Sequence, residues 1–272
     1  MSYNEIEISN DDGRPIYLYE FSNGDAKFRY TSNDRTIEQG GYKWKNEAIA
    51  DDGVKLTGEA QTDGLTITGP SSLAPAQMFQ GTPPSSPIMV RIFHMHEGDS
   101  EAAMCYLGEI VQVNLPQPGT ANFTCNTVGA SMQRDGLRLA WQRACPFSLY
   151  DEITCRADKN AVAVALTVTD IEGNVVQFDG LAGKPDGFLN GGYIEWEHPT
   201  RGLEFRGIET QVGNVCTIFG LADGLYYALK AKGYPGCNRL MSDCVEKFDN
   251  LPNYGGVPDM PGKSPFDGDP VF

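Results

Sequence analysis

At 272 residues, with 40% hydrophobic side chains and a formal net charge of -15, the chain can build one large or two ordinary domains. It has no long apolar run, which argues against a helical membrane span. Its Lys and Arg never cluster beyond local pairs, which argues against the basic, phosphate-neutralising surface of ordinary nucleic-acid binders.

The start, Met1-Ser-Tyr-Asn-Glu-Ile-Glu7, lacks the basic and then apolar stretches of a signal peptide, so folding in a reducing cytosol is expected. Seven cysteines, an odd number, then suggest metal, redox or packing roles rather than a disulfide framework.

In chain order, turn pairs such as Asp12-Gly13, Asn23-Gly24, Asp63-Gly64, Asp135-Gly136, Gly173-Asn174 and Gly213-Asn214 punctuate short β-rich runs. These predict strands over 16–21, 27–31, 65–68, 88–96, 106–115, 121–128, 161–171, 192–197, 203–210 and 215–219. Helices are expected only at 72–79, 221–231 and 239–248, the last with Leu240, Cys244, Val245 and Phe248 on one face and Cys244 pointing inward. The chain is therefore expected to be mainly β, with two β-barrel-like modules. The boundaries run 1–140 for the first module, 141–157 for a cysteine-bearing linker, 158–234 for the second module and 235–272 for a second cysteine pair, a short helix and an irregular extension. That extension is rich in Pro and Gly.

The chemistry-bearing residues are two cysteine pairs, Cys145 with Cys155 and Cys237 with Cys244, about eighty residues apart. Thiolates bind zinc in structural sites and iron in iron–sulfur clusters. Zinc knuckles favour two to four residues between paired ligands. Here nine and six intervene, a spacing that leans toward a larger cluster while leaving zinc, or four packed thiols, open. Cys105, Cys125 and Cys216 fall in strand-like runs and read as buried core thiols. His94 and His96 share one side of a strand and read as a solvent-facing pair, and His198 before Pro199 reads as a turn residue. No nucleophile elbow, His-Glu-x-x-His run, phosphate loop or dinucleotide fingerprint is present, so no catalytic residue is assigned.

Several stretches together resemble the minor tail proteins at the tail tip of long-tailed, non-contractile phages, the iron–sulfur hub proteins of lambda-like tails and gene-transfer agents. They are Pro15-Ile-Tyr-Leu-Tyr-Glu-Phe-Ser-Asn-Gly24, Pro87-Ile-Met-Val-Arg-Ile-Phe93, Gln142-Arg-Ala-Cys145 with Leu149-Tyr-Asp151 and Cys155, and Gly236-Cys237-Asn-Arg239 with Cys244. Lys247-Phe-Asp-Asn250 and Asn253-Tyr-Gly-Gly256 complete the set.

The resemblance implies a structural [4Fe–4S] cluster on Cys145, Cys155, Cys237 and Cys244, with zinc as the alternative metal. It implies a virion protein assembled in the host cytoplasm as a homotrimeric baseplate hub. Its partners would be the distal tail protein and the central-fibre or tip-attachment protein, with no sequence-specific nucleic-acid binding. The acidic balance would suit a wall past which DNA must slide. The rival expectation is a tail-associated enzyme, either a redox iron–sulfur protein or a cell-wall peptidase. The second module is much longer than its counterpart in the lambda-type proteins, so its form does not follow from the resemblance.

Overall fold

The computed structural model describes residues 15–54, 64–96, 98, 101–129 and 139–261. They fall in two compact units, Met1–Arg134 with His198–Gly202, and Asp135–Glu197 with Leu203–Phe272. The expected turns at Asp12-Gly13 and Asp135-Gly136, and Asp63 of the Asp63-Gly64 turn, lie outside the described residues.

The first unit is a nine-stranded sheet. Its strands are β1 (Pro15–Asn23), β2 (Ala26–Thr31), β3 (Ile37–Gln39), β4 (Tyr42–Asn46), β5 (Ala50–Asp51), β6 (Leu65–Pro70), β7 (Met89–His96), β8 (Ala103–Gln117) and β9 (Thr120–Thr127). They pair in the order β3-β4-β2-β1-β7-β8-β9-β6-β5, a sheet where a barrel-like module was expected. The central strand β1 is buried on both faces. Tyr19 and Phe21 enter the main core with Phe123, Ile67 and Ile92, while Ile16 and Leu18 meet Trp44 and Met95 on the other side. Each such fully buried apolar side chain contributes about 1.5–3 kcal/mol. The short helix α1 (Ala74–Met78) carries Pro75 in its first turn, where a missing N–H costs nothing, and buries Ala76 and Met78.

The expectation for Cys105 is corrected: it is exposed, whereas Cys125 and Cys216 are buried. The pairing of β7 with β8 steps from Ile92↔Tyr106 to Phe93↔Met104, so Cys105 is the extra residue of a β-bulge and falls out of the inward alternation. Burial pushes the thiols of Cys125 and Cys216 up to about 12, so both resist forming the reactive thiolate. Partial burial raises the Cys105 thiol too, but its side chain is reachable from solvent, so alkylation of the native protein near pH 8 should modify it at least about tenfold faster than either. Mass spectrometry of the labelled peptides would check this.

The histidine pair is corrected as well. His96 is buried and its ring lies 5.3 Å from that of His94, which stacks on Tyr17 at 4.9 Å. His198 behaves as a turn residue, its Nδ1 accepting from the backbone N–H groups of Thr200 and Arg201, both at 3.2 Å.

The second unit is a closed six-stranded barrel of β10 (Val164–Glu172), β11 (Val175–Asp179), β12 (Tyr193–His198), β13 (Gly202–Val212), β14 (Val215–Ile218) and β15 (Lys230–Tyr234). The strands are ordered β10-β11-β14-β13-β12-β15. Closure comes from β10 pairing with β15, Val164↔Gly233 through Thr167↔Lys230. Inward alternation supplies the core: Leu166, Val168, Val176, Phe178, Ile194, Trp196, Ile208 and Ile218. Bulges at Val168/Asp170 and Ile208/Thr210 bend the strands into the closed wall.

The helix expected at 221–231 does not form. Gly220, Gly224 and Ala228 take φ of +79°, +84° and +62°, which break a helix every fourth residue. The run becomes successive turns that press Leu225 and Leu229 into the barrel core. The helix at the end of the chain does form, as α2 (Met241–Glu246), followed by a 3-10 turn at Leu251–Asn253.

Candidate metal centre

All four paired cysteines lie in the second unit and line one cavity of about 160 Å³, whose other walls include Phe147, Leu149, Phe248 and Tyr254. Cys145, Cys155 and Cys244 are buried, and Cys237 is half-buried. The first segment is shaped by Asp151. Its Oδ1 accepts from Thr154 Oγ1 (2.6 Å), Thr154 N (2.7 Å) and Ile153 N (3.2 Å), and its carbonyl accepts from Arg156 N (2.7 Å). The Thr154 hydrogen bonds hold the Asp151 carboxyl below its ordinary range. The resulting turn places Cys155 at the cavity. Tyr150 ties this segment to the end of the barrel, donating to Pro235 O at 2.7 Å while its ring packs edge-on against Tyr234 and Phe248.

The second segment leaves β15 through Gly236, where a Cβ would strike the backbone of Asn190, Gly191 and Gly192. Only glycine lets the chain pass so close. Arg239 then adopts φ +61°, which brings its N–H to 3.2 Å from Cys237 Sγ. Asp243 accepts from Asn238 N at 2.8 Å and pairs with Lys247 at 3.4 Å, fixing the start of α2 and with it Cys244. Of the face expected on this helix, Cys244 does point inward, but Leu240 and Val245 are 54% and 46% exposed. The helix is too short to bury a full stripe.

Direct bonds join the two segments. Cys145 N donates to Arg239 O at 2.9 Å. Asn250, 7% exposed, donates through Nδ2 to Cys155 O at 2.6 Å and lies 3.8 Å from Cys155 Sγ. Its backbone N donates to Cys244 O at 2.8 Å. Asn253 Nδ2 donates to Asn250 Oδ1 at 2.6 Å, which leaves the Asn250 amide nitrogen facing Cys155. The sequence singled out this stretch as a motif without showing a role for Asn250. Its bonding to both cysteine segments could not be read from spacing.

Burial is the main cause that raises the Cys237 and Cys244 thiols, and each is raised further by Cys145 and Cys155. Four sulfurs in one poorly solvated cavity are thus electrostatically coupled, a donor set that a cationic centre would relieve. No group of three or more His, Cys, Asp or Glu among the described residues is arranged to hold a metal ion. The cavity that the four cysteines line has room for several water molecules, and a four-thiolate donor set serves both structural zinc and iron–sulfur clusters.

Residues 187–264, a span that includes Cys237 and Cys244, match the family described as phage conserved hypothetical protein BR0599. An uncharacterised protein of Xylella fastidiosa (strain 9a5c) is 28% identical over 127 residues, covering 42% of this chain and 26% of its own length. The chain thus matches about a quarter of that relative. The fold is similar to that of a chain from the virion of a native gene transfer agent (GTA) particle. The TM-score is 0.80 at 16% identity, over 100% of this chain and 99% of the other. Among the described residues, no helix is long and apolar enough to cross a membrane.

Proposed function

We propose that this chain is a structural component of a phage-type virion, acting as a tail-tip hub whose two cysteine pairs hold a [4Fe–4S] cluster. The end-to-end likeness in fold to a gene-transfer-agent virion chain carries the assembly role, and the phage-conserved match over 187–264 agrees with it. The convergence of Cys145, Cys155, Cys237 and Cys244 on one cavity supports a shared metal centre, and the wide spacing within each pair leans toward the cluster over a single zinc ion. When bound, the cluster supplies four iron–thiolate bonds that cross-link the segment around 145–155 to the segment around 237–244. The protein's part is to present the thiolates, exclude bulk water with Phe147, Phe248 and Tyr254, and brace the two segments through Asn250 and Tyr150. No catalytic role is assigned to any residue.

In this reading three copies form a closed ring between the distal tail protein and the central fibre, each contributing one sheet and one barrel. The ring would carry three times the chain's charge of -15, favouring DNA that slides over sticking to the wall. A particle reconstruction is expected to show three copies at the tail tip and an Asp- and Glu-rich channel wall. Six copies, or a basic channel, would sink the hub assignment without touching the metal centre.

A further inference from the structure

The geometry points to a second ligand site, on the first unit: a pocket for an acidic peptide segment of another polypeptide. On the face of the sheet carrying Leu18, Glu20 of β1 stands in register with Arg29 of β2 and with Arg91 of β7. Arg29 Nε meets Glu20 Oε2 at 2.7 Å and Arg91 Nη1 meets Glu20 Oε1 at 3.0 Å, with Glu20 itself buried. Lys27 lies two residues from Arg29 on the same side of β2. The β3–β4 hairpin overhangs this row, with the Tyr42 ring 3.7 Å from the Arg29 guanidinium and Trp44 edge-on to Phe93 at 6.0 Å. Between hairpin and sheet lies an open pocket of about 440 Å³, lined by these residues with Gln39 and Gly40.

The charges do not balance. The lining holds Lys27, Arg29 and Arg91 against Glu20 alone, in a chain whose net charge is -15. Arg29 is fully engaged, its edge by Glu20 and its face by Tyr42. Arg91 engages Glu20 through Nη1, and its side chain is 42% exposed. Lys27 is exposed. A guanidinium carries five N–H donors in a fork suited to carboxylates, so Arg91 has donors to spare. The surplus positive charge therefore sits beside an aromatic wall.

That pairing fits a carboxylate one or two residues from an aromatic or aliphatic side chain. The carboxylate would take Arg91 and Lys27 while its neighbour packs on Tyr42, Trp44 and Phe93. A nucleic-acid strand needs a run of cations along its backbone, whereas this pocket gathers three beside an aromatic wall. The site does not depend on the metal centre or on the hub reading.

The test is fluorescence anisotropy of the full chain with a labelled, end-blocked Asp-Phe-Asp-Gly-Glu peptide and with its Asn/Gln analogue. Saturable binding is expected for the acidic peptide. Loss of its charge, Arg91→Gln, or added salt should each weaken it, the first two by about tenfold, as for other charge-assisted hydrogen bonds. Tyr42→Ala, at an exposed position, should also weaken it and serves as the variant least able to disturb the fold. Unsaturable binding, equal affinity for the neutral analogue, or indifference to both substitutions would overturn the proposal. Displacement by an equimolar single-stranded oligonucleotide would reassign the pocket to nucleic acid and overturn it too.

Discussion

Cys237→Ser protein, purified without oxygen, is expected to lose most of its iron and acid-labile sulfide, and wild-type protein to carry both in near-equal amounts. The predicted loss is large because Cys237 joins the first cysteine segment to the second through the cavity that all four thiols share. Its sulfur accepts from Arg239 N at 3.2 Å, a bond that Ser can keep, so in the proposed centre the substitution chiefly removes a ligand. The consequence for folding follows from where the chain is braced. After β15, the residues to 261 contain one short helix and one 3-10 turn, and they hold to residues 142–145 through single bonds. These bonds are Cys145 N to Arg239 O at 2.9 Å, Val257 N to Gln142 O at 2.9 Å, Arg143 Nε to Met260 O at 2.8 Å and Tyr254 OH to Arg143 O at 3.0 Å. A centre bound as proposed would stabilise such a segment, because bound metal is folding free energy. Hydrogen exchange should therefore rise over 236–261 in the variant and stay unchanged over β1 to β9. Equal iron and sulfide in both proteins, or stoichiometric zinc in the wild type, would defeat the cluster. Unchanged exchange with iron lost would defeat only its structural role.

How much of this was legible in the sequence depends on which signal each element carries. Most of the ten predicted strands declared themselves through Val, Ile, Leu and Phe at alternate positions, as in β6, β7 and β10, because period-two burial is written directly into side-chain order. Strands β3, β4, β5, β11 and β15 were not predicted. β3 to β5 carry Glu38, Lys43, Lys45 and Asp51 and sit at the margins of the sheet, where neighbours rather than alternation decide pairing. β11 buries Val176 and Phe178 but alternates over only five residues, and β15 begins inside the run expected to be helical. The turn at 221–231 was misread because Leu221, Leu225 and Leu229 recur at helical spacing, while the left-handed φ of Ala228 leaves no compositional trace. The cysteine pairs were visible as pairs, yet their meeting at one cavity needs the barrel closed. The β10–β15 seam returns the chain to Gly236 and brings Cys237 to the cavity that Cys145 also lines. Cys105 marks the opposite limit: one bulged residue reversed its side, and nothing in Ala-Met-Cys-Tyr-Leu signals a bulge.

Asn250→Asp is expected to be the most damaging substitution near the centre outside the thiols themselves. Asn250 Nδ2 donates to Cys155 O at 2.6 Å, and the Asn250 backbone N donates to Cys244 O at 2.8 Å, so one residue spans both cysteine segments. The variant keeps the shape but faces the Cys155 carbonyl with a second acceptor in a buried place. An unsatisfied buried group costs about 1–3 kcal/mol, and more when charged. The penalty should depend on pH, with a definite sign. Burial, the carbonyl and the neighbouring sulfurs disfavour the carboxylate and outweigh the single donor it keeps, Asn253 Nδ2, so the Asp pKa in the folded variant lies above its unfolded value near 4. The folded state then binds more protons, and the variant loses stability relative to wild type as pH rises through that range. At low pH the protonated acid can donate to Cys155 O and restore the bond. Thermal unfolding of both metal-free proteins between pH 5 and 8 should show the gap widening with pH. Chelator-driven iron release from the loaded variant at pH 8 should be about 10- to 100-fold faster than from wild type, the usual cost of losing an outer-shell partner. A gap that stays constant with pH would mean that the Asn250 side chain is a spacer rather than the donor that holds Cys155 in place.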